Sequence, residues 1–223
     1  LYGSFMMIGI ELSVVISLFV GTEYSDGTIR NKIVVGMSRG DIYLANSITC
    51  SVGAVVSALL ATLFVMIVGV PLFGWVGMGF SDLVLMILIY AMAAIAYASI
   101  YNLIAMLCSN KAYTAIINVV LSFGLLFASI YLQQRLSAQE MIDQGVLGES
   151  GGIVFETVEN PSYLTGTARE IHQFFFDLLP SGQAMQVVCV EVIHPYRLLL
   201  YSAIVIIVCN AIGVWFFKKK DLK

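Results

Sequence analysis

Charge is what this sequence has least of. Asp, Glu, Lys and Arg make up 11% of its 223 residues, hydrophobic residues 60%, and the mean hydropathy is +0.94. Soluble domains carry roughly 25% charged residues, so there is too little polarity here to tile a water-facing surface. The composition excludes an ordinary soluble fold and points to an integral membrane protein. Other absences narrow the chemistry. No Lys follows a Gly, so the chain has no Gly-x-x-x-x-Gly-Lys phosphate-binding loop and cannot hydrolyse ATP by that route. The His-Glu-x-x-His zinc spacing and the Gly-x-Ser-x-Gly nucleophile elbow are missing as well. The four cysteines, Cys50, Cys108, Cys189 and Cys209, never fall in a Cys-x-x-Cys pair.

What is abundant is long apolar sequence. Five runs reach the roughly 20 residues that a helix needs to cross a bilayer: 1–20, 42–70, 83–107, 112–132 and 197–217. The second is long enough to tilt or to project beyond the apolar layer. The predicted fold is an all-α, polytopic, single transmembrane domain over 1–223. Lys and Arg stay on the cytoplasmic side of a membrane, and placing the loop 21–41 there puts eight of the 11 basic residues inside: Arg30, Lys32, Arg39, Lys111, Lys218, Lys219, Lys220 and Lys223. Only Arg135, Arg169 and Arg197 fall outside. The predicted location is the plasma membrane, with a cytoplasmic C-terminus and an extracellular segment 133–196. Trp75, Tyr131, Trp215 and Phe217 sit at span ends as interfacial anchors. With five spans and the C-terminus inside, the first residue lies outside; the chain begins with Leu rather than Met, and an upstream helix would make six. Of the cysteines only Cys189 is placed outside, so no intramolecular disulfide is expected, and the other three read as small apolar residues.

The stretch GTEYSDGTIRNKIVVGMSRGDIY, 21–43, concentrates polarity between two nearly uncharged spans. Ser25 or Asp26 is placed to cap a short helix, with Ile29 and Ile33 on one face and Val34 beside them. Gly36 is placed to stop it, and Asp41 to cap the next span. The loop reads either as a topology-setting surface helix touching lipid headgroups or as a docking surface for a cytoplasmic partner.

The pattern Glu-Tyr-x-x-Gly-Thr-Ile-Arg-Asn-Lys at 23–32, followed by Ser38-Arg39 and Tyr43, resembles the first intracellular loop of type-two ATP-binding-cassette (ABC) permeases, particularly exporter permeases of Gram-positive bacteria. LLPSGQA at 178–184, ahead of the last span, is similar to the same group. The resemblance implies a six-helix permease fold whose first helix lies outside this chain. It implies a coupling helix that sits on a separate cytoplasmic ABC ATPase, and a second permease, identical or paralogous, completing a dimer. On this reading the permease is not itself an enzyme, ATP and Mg belong to the partner subunit, and no nucleic acid is involved. The implied ATPase-contact residues are Glu23, Tyr24, Gly27, Thr28, Ile29, Arg30, Asn31, Lys32, Ile33 and Arg39. Arg30, Lys32 and Arg39 offer charge-assisted hydrogen bonds, whereas Glu23 and Asp26 can instead brace or cap the loop. Asn110 and Lys111 read as the polar turn of a helical hairpin near the same partner. The implied activity is export of a substrate, such as a peptide or antimicrobial.

Glu11 is the only formal charge in the first run, roughly 16–18 Å from the basic loop at about 1.5 Å per residue. A carboxylate near a bilayer centre costs about 2.5–3.5 kcal/mol on insertion scales. It reads either as a cavity residue meeting cationic cargo or as a protonated acid bonded to a neighbouring helix, with Asn46, Asn102, Asn118 and Asn210 as candidate partners. The small residues of SVGAVVSALLA and AMAAIAYASI suit close helix packing, and the glycines of GVPLFGWVGMGF form a turn.

Outside, QQRLSAQEMIDQGVLGESGG reads as a short polar helix ending in glycines, and Pro161 breaks the chain. TAREIHQFFFDLLP is amphipathic, with Ile171, Phe174, Phe175 and Leu178 opposite Arg169, Glu170, Gln173 and Asp177. It can lie on the outer leaflet or fold back, making Phe174, Phe175 and Leu178 candidates for an outer gate. His172 and His194, with Glu170 or Glu191 near, read as surface histidines rather than metal ligands. The alternative function is an ion-coupled secondary transporter or channel using Glu11 as an intramembrane proton or cation site; a membrane-embedded enzyme acting through the histidines is a third class.

Overall fold

The computed structural model describes residues 6–75, 77–147 and 153–220. Helices hold 79% of the molecule. Among the described residues, five helices are long and apolar enough to cross a membrane: Ile8–Ser25, Arg39–Leu72, Phe80–Leu107, Lys111–Leu136 and Pro195–Lys219. An all-α polytopic membrane fold is therefore what the chain builds, with spans a few residues longer than the sequence predicts at most ends.

In chain order the elements are α1 (Ile8–Ser25), α2 (Thr28–Val34), α3 (Arg39–Phe64), a π-helical turn (Val65–Gly69), α4 (Val70–Phe73), α5 (Phe80–Leu107), α6 (Lys111–Leu136), β1 (Met141–Leu147), β2 (Ile153–Glu159), α7 (Gly166–Leu178), α8 (Pro180–Cys189) and α9 (Pro195–Lys219). Helix α5 is the centre of the bundle, packed against α1, α3, α8 and α9. Its alanines explain why: Ala93, Ala94, Ala96 and Ala98 are all buried, so neighbouring backbones can approach closely. Stacked beside them, Tyr97 and Tyr101 fill the core.

The polar residues inside this bundle pair with one another across helices. Asn118 donates to Ser17 Oγ at 2.9 Å, tying α6 to α1. Asn210 on α9 accepts from Ser47 on α3 and donates to Ser99 on α5 at 3.3 Å. Interhelical hydrogen bonds in apolar surroundings contribute about 0.6 kcal/mol each on average. The outward faces are apolar, as on α3, where Ile48, Val52, Leu59 and Leu63 are exposed. A surface of this kind is suited to lipid.

One predicted element is of the wrong type. The segment read as a polar helix after α6 is instead β1, antiparallel to β2 with Met141 opposite Glu159 and Gln144 opposite Glu156. Thr157 Oγ1 donates across the hairpin to Asp143 at 2.7 Å. The β-branched and aromatic content of IVFETVE favours extended chain, and each strand supplies the other's backbone partners. The turn between them lies outside the described residues.

Candidate functional site

The loop between α1 and α3 folds as a braced outcrop. Asp26 and Gly27 make the turn, and Gly27, at φ 70°, occupies the N-cap of α2 without a side-chain cap. Neither Ser25 nor Asp26 serves as the cap expected of them, because the left-handed residue that the turn needs is the glycine. The stop at Gly36 is where the sequence predicts it. Gly36 has φ 98°, its N–H donates to Ile33 O at 2.9 Å, and Met37 N–H donates to Lys32 O at 3.1 Å, which together form a Schellman motif. The next helix is capped by Ser38, whose Oγ accepts from Asp41 N–H at 3.2 Å, and not by Asp41 as expected; the Asp41 carboxylate accepts from the Ser38 hydroxyl at 2.6 Å.

The inner side of α2 is fixed to the bundle. Ile29 is 1% exposed and belongs to the central core, with Ile33 and Tyr24 packed against it. Glu23 braces the loop, receiving Lys32 Nζ on Oε1 at 2.7 Å and Asn46 Nδ2 on Oε2 at 2.7 Å. One carboxylate thereby joins α1, α2 and α3.

The other two segments predicted to share this side of the membrane converge on the same place. Lys111 Nζ donates to Thr22 Oγ1 at 2.9 Å. Arg39 donates to the carbonyls of Lys218 and Lys220. Lys220 Nζ donates to Tyr24 Oη and to Met106 O, both at 2.9 Å, and lies 4.5 Å above the Tyr24 ring. Tyr24 in turn donates to Met106 O. Burial holds the Lys220 ammonium down to about 8, with Cys108 pulling the other way. Lys32, Arg39, Lys111 and Lys220 thus form one basic node at one end of the bundle.

The predicted contact residues divide into three groups. Glu23, Tyr24, Ile29, Lys32, Ile33 and Arg39 face inward and hold the outcrop, while Gly27 and Thr28 form its entry. Arg30 and Asn31 face outward. Beside them stand Val34 at 80% exposure, which the sequence sets next to Ile29 and Ile33, and two residues that the sequence reading does not single out, Val35 at 84% and Met37 at 45%. Val34 does not share the buried face of Ile29 and Ile33; its place in the last turn of α2 turns it away from the bundle. The available signal was the apolar run Ile33-Val34-Val35 ending at a helix stop, more apolar surface than a seven-residue helix can bury on one side.

Glu11 lies in the first turn of α1, exposed on the face shared with Val14, Val15 and Leu18. Its four candidate partners are engaged elsewhere: Asn46 with Glu23, Asn118 with Ser17 and Tyr101 O, Asn210 with Ser47 and Ser99, and Asn102 beside the Cys50 thiol. Among the described residues no hydrogen bond reaches the Glu11 carboxylate.

At the opposite end, α7 is amphipathic as expected, with Arg169 and Glu170 exposed and the later residues of its polar stripe, Gln173 and Asp177, turned to the bundle. Asp177 is 2% exposed, whereas Ile171, Phe174 and Phe175 point outward. Phe174 meets Tyr201 of α9 edge-on at 5.6 Å. Leu178 is half-buried beside them. His172 and His194 are not brought together: His172 Nδ1 contacts Ala168 O at 2.8 Å, and His194 Nδ1 lies 3.6 Å from Asp177 Oδ2. No group of three or more metal-ligating side chains forms among the described residues.

No protein-family model, curated protein or solved structure matches this chain.

Proposed function

We propose that this chain is the membrane-spanning subunit of an ABC exporter, driven by ATP hydrolysed on a separate cytoplasmic subunit and working with a second permease copy or paralogue. On this reading the full permease has six spans, the basic node faces the cytoplasm of a cell whose plasma membrane holds the protein, and the cargo is a peptide or antimicrobial. The observation that carries the reading is the two-sided character of α2. Its inner side is locked by Ile29 and the Glu23–Lys32 pair, and its outer side leaves Arg30, Val34, Val35 and Met37 without neighbours to bury them. An exposed apolar pair beside a cation is covered either by acyl chains at the membrane surface or by a cleft of another subunit, and the exporter reading takes the second, in which burying apolar surface contributes about 25 cal/mol per Å².

Force applied to that outer side has a route into the membrane. The Glu23 carboxylate passes it to α1 and α3, and the Tyr24–Met106–Lys220 cluster passes it to α5 and α9. The test is purification from the source cell in mild detergent with measurement of ATP hydrolysis in the recovered complex. Wild type carries an ATPase subunit. Val34→Asp, Val35→Asp and Arg30→Glu lose it while remaining inserted at normal levels. Wild type that carries no ATPase under conditions preserving a known ABC complex would overturn the reading.

Glu11 supports a second reading. An exposed carboxylate without a hydrogen bond among the described residues, set beside Val14, Val15 and Leu18, suits a proton or cation site in a gradient-driven carrier or channel. That reading requires no ATPase.

A further inference from the structure

The end of the bundle remote from the basic node contains few cations, and two of them share one cavity. Arg169 of α7 and Arg197 of α9 line a cavity of ≈ 580 Å³ together with Glu170, Asp177, His194 and Tyr201. Neither guanidinium has a hydrogen-bond or ion-pair partner among the described residues, although two acids line the same walls. The reason for Asp177 is plain. Its Oδ1 receives Gln173 Nε2 at 2.7 Å and Gln186 Nε2 at 3.0 Å, and its Oδ2 faces the His194 ring at 3.6 Å. Asp177 is thus occupied by its own neighbours at the cavity floor, and Glu170 is left as the one free acid beside two free guanidiniums.

The cavity sits at a defined level. Arg197 lies in the first turn of α9, where a membrane-spanning helix begins. The positive end of that helix dipole points the same way as the guanidinium charge. Helix α7 presents Ile171 and Phe175 outward, an apolar face suited to the outer part of an acyl layer. Phe174, Ile193 and Tyr201 give the cavity an apolar wall. A planar guanidinium matches the oxygens of a phosphate in bidentate fashion, two of them line this one cavity, and a carboxylate alongside matches an ammonium.

We propose that this cavity binds an amino-phosphate group, with the phosphate on Arg169 and Arg197 and the ammonium on Glu170, and that its source is an aminophospholipid headgroup of the adjoining leaflet. The charge of the site argues for a zwitterion. Two guanidiniums stand against the two carboxylates of Glu170 and Asp177, so a purely anionic guest gains less here than one carrying its own cation. The proposal stands independently of the transport reading.

The test is native mass spectrometry of the full chain in detergent, incubated in turn with phosphatidylethanolamine, phosphatidylglycerol and phosphatidylcholine, and with soluble O-phosphoethanolamine as a fourth arm. Wild type is expected to retain phosphatidylethanolamine about tenfold better than the other two lipids, the scale of one or two charge-assisted hydrogen bonds. Arg169→Gln/Arg197→Gln brings that retention down to the phosphatidylcholine level. Should that pair fail to fold, Arg169→Lys/Arg197→Lys keeps the charge, loses the bidentate fork and gives an intermediate loss. Glu170→Gln makes phosphatidylethanolamine and phosphatidylglycerol equivalent. Arginine-dependent binding of O-phosphoethanolamine without lipid retention upholds the amino-phosphate site and assigns its guest to the soluble phase. Equal retention of the three lipids by wild type with no binding of O-phosphoethanolamine, or retention unchanged in both arginine-pair variants, overturns the proposal.

Discussion

The Lys32 ammonium lies 2.7 Å from Oε1 of Glu23, nine residues back along the chain, and both side chains are largely shielded from solvent. This pair closes the turn between α1 and α2, and through Asn46 on the other carboxylate oxygen it also fastens α3. A hydrogen bond to a charged group contributes about 1.5–3 kcal/mol. Glu23→Ala and Lys32→Ala are each expected to destabilise the protein by about that amount. The double variant should cost less than their sum, because the two residues share one interaction. Thermal unfolding in detergent measures all three, and full additivity would mean that the pair carries no coupling.

A close approach between α3 and α9 gives a second expectation. A methyl group at Gly213 would run into the ring of Tyr43, which is fully buried and packed on Phe217. Overpacking of this kind costs about 1–3 kcal/mol. Gly213→Ala should lower the unfolding temperature, and the penalty should shrink in a Tyr43→Leu background. An equal penalty in both backgrounds would rule out the contact as its cause.

Lys220 carries a pH dependence of known sign. Burial lowers its folded pKa to about 8 from an ordinary value of 10.5, so the fold disfavours the charged form. The associated stability is fully present above 10.5 and is lost as pH falls to 8, so stability should rise with pH across that window. Lys220→Met should flatten the rise. At pH 8 the amine should acylate faster than that of its neighbour Lys219, which lies over the Trp215 ring at 3.7 Å; peptide mapping of the labelled protein reads the ratio.

Glu11→Gln separates the two functional readings. In an ATP-driven exporter the exposed carboxylate is not the motor, so transport should persist and remain dependent on ATP. In an ion-coupled carrier the same change abolishes transport and its pH dependence. Transport assayed in vesicles with an imposed pH gradient, with and without internal ATP, distinguishes these outcomes.

Much of this architecture is legible in the sequence because the bilayer imposes a length and an apolar composition that few other folds share. The five spans follow from that alone, and Gly36 as a helix stop follows from the need for a positive φ. The hairpin was not legible. Strand pairing between β1 and β2 is a relationship across a turn, and the polar alternation of EMIDQ fits a helix surface equally well when read locally. The direction of α7 was hidden for a different reason. Periodicity separates Ile171, Phe174 and Phe175 from Gln173 and Asp177, but it does not say which side faces the bundle. With lipid as the outer phase the apolar side turns outward, and Asp177 goes to the interior. The exposure of Val34 and of Val35 at the C-cap is not legible because spacing sets Val34 beside Ile29 and Ile33 without saying which of them are covered, and a helix of two turns has room to bury only Ile29 fully.

What touches Val35 decides whether α2 docks on a partner subunit. A photocrosslinking amino acid placed there, with Val120 on the outer face of α6 as the control position, can be activated in membranes of the source cell. A single protein adduct is expected at Val35, absent at Val120, whose peptides carry the Gly-x-x-x-x-Gly-Lys loop that this chain lacks. Adducts at Val35 that consist of lipid, or that match those formed at Val120, would contradict docking.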